Sequence, residues 1–202
     1  MIRLYHRPKA GRPVRAAWTL EEAGAPFEIV RLSMDETRAA EHLERHPLGR
    51  VPVLEVDDGI LYESAAVCMH IADLVPEAGL IPPPGSRERA LVYQWVLFAM
   101  TEIEPAFLPL LPHRTTEPEA AAAARAVLRE RLEVLERALE GREFLVGDSL
   151  TVADVVMGSL ASDIVGLGHA EGFPAITAWV ERLEARPARE RAVASVGLRA
   201  AA

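Results

Sequence analysis

Glu63 and Ser64 stand side by side and offer a carboxylate that accepts from an ammonium and a hydroxyl that donates to a carboxylate. That pairing suits the head of an amino acid, which carries both ions. If Ser64 also opens a helix, the free amides of the first turn add donors for the anion. Upstream, a cis bond between Val51 and Pro52 would turn the Val51 amide and carbonyl away from a sheet and leave them free to pair with an extended peptide. Met singly, Glu63-Ser64 is an ordinary helix cap and Pro52 an ordinary strand-start proline. Met together, they describe a cradle for a short peptide with a free amino-acid end.

Other reactive residues weigh less. His42 and His46 have an i, i+4 spacing that could present two nitrogens to zinc. No glutamate of the protease motif and no third ligand accompany them, so they are expected to be surface histidines, and no metal is expected. Cys68, the single cysteine, falls one helical turn after Ser64 and is expected to pack as a small hydrophobe. A lone cysteine makes neither an internal disulfide nor a cysteine-based zinc site. Thirty acidic residues against 22 basic ones leave a formal charge of −8, which repels phosphate backbones and argues against a nucleic-acid partner. Met1 runs straight into Ile-Arg-Leu-Tyr without a signal-peptide pattern, and no stretch approaches about 18 uninterrupted apolar residues. A soluble cytoplasmic protein with no membrane segment is the expectation.

The elements that must hold these residues fall into two groups. From Ile2 to about Val75 short apolar runs alternate with helical stretches, the pattern of an α/β unit. Strands are predicted at 2–5 and 27–32, with a helix between that Pro13 begins and Gly24 ends. The segment 33–46 reads as polar. The residues 51–56 and 60–62 flank Asp57-Asp58-Gly59 as a hairpin, and a further helix starts near Glu63-Ser64. Pro76, Gly79 and the run Pro82-Pro83-Pro84-Gly85 mark a boundary, because proline continues neither a helix nor a ladder. This divides the chain into a domain at 1–78, a linker at 79–85 and an all-helical domain at 86–202. In the latter, Ser86 caps a helix that Pro105 and Pro109 bend or break. Leu128, Leu132, Leu135 and Leu139 step by four, three and four on the next helix, and a proline-bounded pair of helices closes the chain.

The strongest local signal is Gly147-Asp148-Ser149-Leu150-Thr151-Val152-Ala153-Asp154, where Asp154 at the third helical position bonds back to the Thr151 amide. Its role is structural. With Pro47-Leu48-Gly49-Arg50-Val51-Pro52-Val53-Leu54 and Leu61-Tyr62-Glu63-Ser64-Ala65-Ala66, it resembles, in order, the N-P-x-G-x-V-P-x-L, L-x-E-S-x-A and G-D-x-L-T-x-A-D elements of the cytosolic glutathione transferase family. His46 replaces the asparagine. The resemblance spans essentially the whole chain. It implies an α/β thioredoxin-like N-terminal domain, an all-α C-terminal helical bundle domain, glutathione as co-substrate, a small hydrophobic electrophile and a two-fold homodimer. Carried over, Val51 supplies backbone bonds to the cysteinyl unit, Pro52 is cis, Glu63 and Ser64 hold the γ-glutamyl end, and Arg50 faces the glycyl carboxylate.

A glutathione transferase must lower the thiol pKa of its ligand, commonly by donating a hydroxyl hydrogen bond. Where the family's L-Y-x-x-P-x-S-G element has its working serine, this chain has Ala10. In the tyrosine-using classes the donor comes from the end of the first strand, where one register selects His6 and a one-residue shift selects Tyr5. Three sources of thiolate stabilisation stay open. The first choice is the backbone amides of Ala10, Gly11 and Arg12 entering the helix, a dipole effect of about 0.3 to 2 kcal/mol. The others are the cations Lys9 and Arg12, and His6. Surface charges such as Lys9, Arg12 and Arg15 more often form a solvated face. Two further readings compete with a transferase: a non-catalytic binding or regulatory protein of the same fold, and a glutathione-dependent isomerase, reductase or dehalogenase.

Overall fold

The strand β1, Ile2–His6, is where the first unit is organised. It pairs in parallel with β2, Phe27–Arg31, and antiparallel with β3, Val53–Val56, which turns back into β4, Gly59–Tyr62. The sheet order is β2-β1-β3-β4. The computed structural model describes residues 1–8, 11–57, 59–112, 114 and 117–197. Lys9, Ala10 and Asp58 lie outside them. The hairpin is tight because Val56 pairs with Gly59 and Asp57 adopts φ 52°, the left-handed conformation that a two-residue turn requires.

One face of the sheet is covered by α1, Arg12–Ala23, and α3, Ser64–Leu74, which pack on each other and bury Ala16, Ala17, Leu20, Val67 and Ile71. Gly24 ends α1 at φ 65°, as its lack of a Cβ permits. The predicted polar segment holds a 3₁₀ turn, Glu36–Arg38, and a short helix α2, Ala40–Arg45. On the sheet face that Tyr5, Leu32 and Val53 share, the Arg45 guanidinium stands 4.6 Å above the Tyr5 ring. Tyr5 donates to Glu55 Oε2 at 2.6 Å, and Arg3 reaches the same carboxylate.

The remaining element of this unit comes from the far end of the chain. Residues 185–202 group with residues 1–81, whereas residues 82–184 form the second unit. This differs at the C-terminus from the expected bounds of 86–202. Helix α9, Pro187–Ser195, packs on α1, because Glu22 accepts from Arg186 Nε and Nη2 at 2.6 and 2.8 Å and Arg189 stacks over Trp18 at 5.1 Å.

The second unit is helical, as its proline spacing and leucine periodicity predict. Ser86 accepts from the Arg89 amide at 3.1 Å and caps α4, Arg87–Phe98. Pro105 does not simply break the chain's helical path. A π-helical turn at Ala99–Ile103 leads into α5, Glu104–Phe107, with the Glu104 amide bonded to the Ala99 carbonyl five residues back. The wider turn accommodates the ring that would strike a carbonyl four residues back in an α-helix. Helix α6, Pro118–Leu139, buries Leu128, Leu132, Leu135 and Leu139. The others are α7, Val152–Gly166, and α8, Pro174–Glu184, whose first amides donate to Glu136 of α6. Among the described residues no helix is long and apolar enough to cross a membrane.

Candidate glutathione site

Strand register brings the cradle residues together. Val53 pairs with Tyr5 on one side and Tyr62 on the other. Val51-Pro52, Glu63-Ser64 and the exit of β1 therefore lie at one end of the sheet, where α1 and α3 also begin. The Val51–Pro52 peptide is cis. Val51 stands outside the β3 ladder, and among the described residues its amide and carbonyl form no backbone hydrogen bond. Glu63 is exposed at φ 70°, a conformation costing a non-glycine residue about 1–3 kcal/mol and concentrated at ligand sites.

Ser64 is buried, and its Oγ accepts from Arg15 Nη1 at 3.2 Å. A guanidinium only donates, so the bond uses a serine lone pair and leaves the hydroxyl hydrogen for another acceptor. Arg15 is 3% exposed rather than part of a solvated face. The signal was present in the sequence: Arg15 is the single charge within Pro13–Leu20, a stretch buried throughout. Arg12, half-buried, and Gly11 open α1, and Arg50 is exposed beside Val51. Among the described residues, α1 and α3 alone combine a first turn free of acid with no side-chain cap. Every other helix has an acidic first turn or, in α8, the Glu136 carboxylate. Two positive helix ends thus face this edge uncompensated, which favours an anion.

Of the side-chain candidates for thiol activation, one is hydrogen-bonded elsewhere and the other is buried. Tyr5 spends its hydroxyl on Glu55. His6 is 0% exposed, and among the described residues neither ring nitrogen makes a hydrogen bond, the Val196 backbone lying near it but outside bonding geometry. Burial, the largest influence, holds the His6 pKa below its ordinary value. Cys68 is buried too, and desolvation pushes its thiol up to about 11, which removes it as a nucleophile. Two hollows elsewhere on the first unit, of about 650 and 410 Å³, are lined by none of Val51, Glu63 and Ser64.

His42 and His46 are not surface residues: they are 1% and 3% exposed. Among the described residues no three ligands gather around a metal. His42 Nε2 lies 2.9 Å from the Arg50 carbonyl, and His46 Nδ1 accepts from the Leu48 amide at 3.2 Å. The latter bond, to the amide two residues on, is the one an asparagine makes in a turn, and so accounts for histidine in the asparagine position.

Family models fit this architecture: the N-terminal domain of glutathione S-transferases matches residues 1–73 and the C-terminal domain residues 98–187. The chain belongs to the glutathione S-transferase family. The GstA glutathione S-transferase of Escherichia coli O157:H7 is 29% identical over 203 residues, covering 98% of this chain and all of that protein. The crystal structure of a glutathione transferase from Methylococcus capsulatus superposes with a TM-score of 0.87 at 33% identity, over 98% of this chain and 100% of the other. A sphingomonad glutathione S-transferase solved with glutathione superposes at 0.85 and 30% identity, with the same coverage. Glutathione is the co-substrate of this transferase family.

Acid should weaken the first unit. Burial lowers the His46 pKa, as it does that of His6. A histidine whose folded pKa lies below its unfolded value of about 6.5 contributes its full share of stability above that pH and loses it as pH falls toward the folded value. His169 in the second unit has the same sign. The urea midpoint is therefore expected to drop between pH 7.5 and pH 5.5, and His46→Asn, which keeps an acceptor but does not titrate there, is expected to reduce that drop. A midpoint independent of pH over this range would contradict the assignment.

Proposed function

We propose that this chain is a cytoplasmic, homodimeric glutathione transferase that binds glutathione along Val51 and promotes attack of its thiolate on a small hydrophobic electrophile. The observation that carries the reading is the convergence of Val51, Glu63, Ser64 and two uncapped helix N-termini at one end of the sheet. Val51 pairs with the cysteinyl unit beside Pro52. The Glu63 carboxylate accepts from the γ-glutamyl ammonium, while the Ser64 hydroxyl and the first amides of α3 donate to its carboxylate. Arg50 faces the glycyl carboxylate, with Lys9 and Arg12 as further cations. The thiol lies toward α1, where the amides of Ala10, Gly11 and Arg12 stabilise the thiolate. The sulfur lone pair then forms the new S–C bond as the bond to the electrophile's leaving group breaks, the halide of an aromatic halide departing with that bonding pair, and the thiol proton leaves to solvent.

A calorimetric titration with glutathione tests the site. Glu63→Gln and Ser64→Ala are each expected to weaken binding by about 1–3 kcal/mol, since each leaves a charged ligand group short of a partner. Unchanged affinity in both refutes the site. The ultraviolet thiolate signal of bound glutathione against pH, with turnover of an aromatic halide, tests the chemistry.

A non-catalytic binding protein of the same fold is favoured by one observation: Tyr5 is bonded to Glu55, His6 is buried and Ala10 has no side-chain donor. An unshifted thiol and no turnover would select it. Product analysis separates a transferase from a glutathione-dependent isomerase, reductase or dehalogenase.

A further inference from the structure

The loop from His46 to Arg50 leads into Val51 and is pinned at three successive residues. The Leu48 amide donates to His46 Nδ1 at 3.2 Å, and the Gly49 amide to the His46 carbonyl at 2.8 Å. Gly49 adopts φ 59°, and a Cβ on it would collide with the Thr37 carbonyl oxygen, so the loop rests directly on the turn before α2. The third pin is His42, whose Nε2 lies 2.9 Å from the Arg50 carbonyl. A carbonyl only accepts, which requires that Nε2 carry the hydrogen. Among the described residues His42 Nδ1 is buried without a partner, so the bond through Nε2 is what orients the ring.

That carbonyl shares a peptide plane with the Val51 amide. In a trans peptide C=O and N–H point in opposite directions. Holding the Arg50 oxygen against His42 therefore aims the Val51 N–H away from α2.

We propose that His42 is a positioning residue for glutathione: through the Arg50 carbonyl, it fixes the direction of the Val51 amide that pairs with the cysteinyl unit. The inference rests on the glutathione site proposed above. Its effect is on affinity, since the imidazole is one peptide removed from the ligand.

Glutathione titrations of the full chain and two variants test it. His42→Phe keeps a ring of similar size and removes the donor, whereas His42→Gln places an amide nitrogen where Nε2 stands. Loss of one oriented hydrogen bond predicts that the dissociation constant rises about tenfold in His42→Phe and stays within about threefold in His42→Gln. A residue needed only to fill space gives the reverse order. Wild-type affinity in folded His42→Phe, or equal weakening in both variants, overturns the proposal while leaving the glutathione site intact. Failure of the unsubstituted chain to bind glutathione overturns the site itself. Should His42→Phe not fold, long-range proton–nitrogen correlation on the unsubstituted protein decides: Nε2–H with bare Nδ1 supports the proposal, and Nδ1–H with bare Nε2 overturns it.

Discussion

Removal of residues 185–202 is expected to lower the stability of the first unit by roughly 4–5 kcal/mol, a large part of the 5–15 kcal/mol that holds a typical domain. The segment lies apart in sequence from the sheet but belongs to it in space. Ala188, Ala192 and Val196 are buried, and Trp18 beneath α9 is sealed from solvent. Uncovering them costs about 3 kcal/mol at the usual value per unit of apolar surface. The two bonds from Arg186 to Glu22 add about 1 kcal/mol, discounted because Arg186 is one-third open to water. Arg191 reaches Glu21, and Arg31 donates to the Ser195 carbonyl at 3.0 Å. A chain ending at Glu184 should show an early melting transition by tryptophan fluorescence and lose glutathione retention. An unchanged melt would mean that α9 is not part of the folding unit.

Asp154→Ala should be comparably severe in the second unit, by about 3–5 kcal/mol. The carboxylate is 0% exposed, and burial pushes its pKa up. Against that, three donors close on it: the Leu145 amide at 2.8 Å, the Thr151 amide at 2.9 Å and the Thr151 hydroxyl at 3.0 Å. Alanine strands all three donors in a buried site. Asp154→Asn keeps an acceptor for Leu145 but turns an amide donor toward the Thr151 donors, so it should fall between the two. An unfolding free energy from urea titration of Asp154→Ala within about 0.5 kcal/mol of the unsubstituted chain would show that Asp154 is not what ties the 145–151 loop to α7.

Asp154 also illustrates what was legible in the sequence. A capping box is a bond between neighbours, so residues 151–154 specify it whatever surrounds them. The same locality exposed the hairpin around Asp57, the stop at Gly24, the Ser86 cap and the Val51-Pro52 and Glu63-Ser64 pairs. The errors lie where a residue's fate depends on a distant segment. His42 and His46 sit in a polar stretch and read as exposed, yet the Arg50 carbonyl and the Tyr62 ring, supplied by the following loop and strand, are the partners that meet them once the chain has folded. Tyr5 and His6 were ambiguous as thiol donors because a strand alternates its faces, and only packing reveals what covers each.

By itself, then, the sequence determined the family and the order of strands and helices, because these stem from bonding range, periodicity and turn chemistry. Only the tertiary structure decided that α9 completes the sheet unit, that Arg15 stands behind Ser64, and that a buried histidine holds the peptide before Val51. The reason is physical: burial and long-range hydrogen bonds are set by which surfaces meet, and residues far apart along a chain carry no local mark of their meeting.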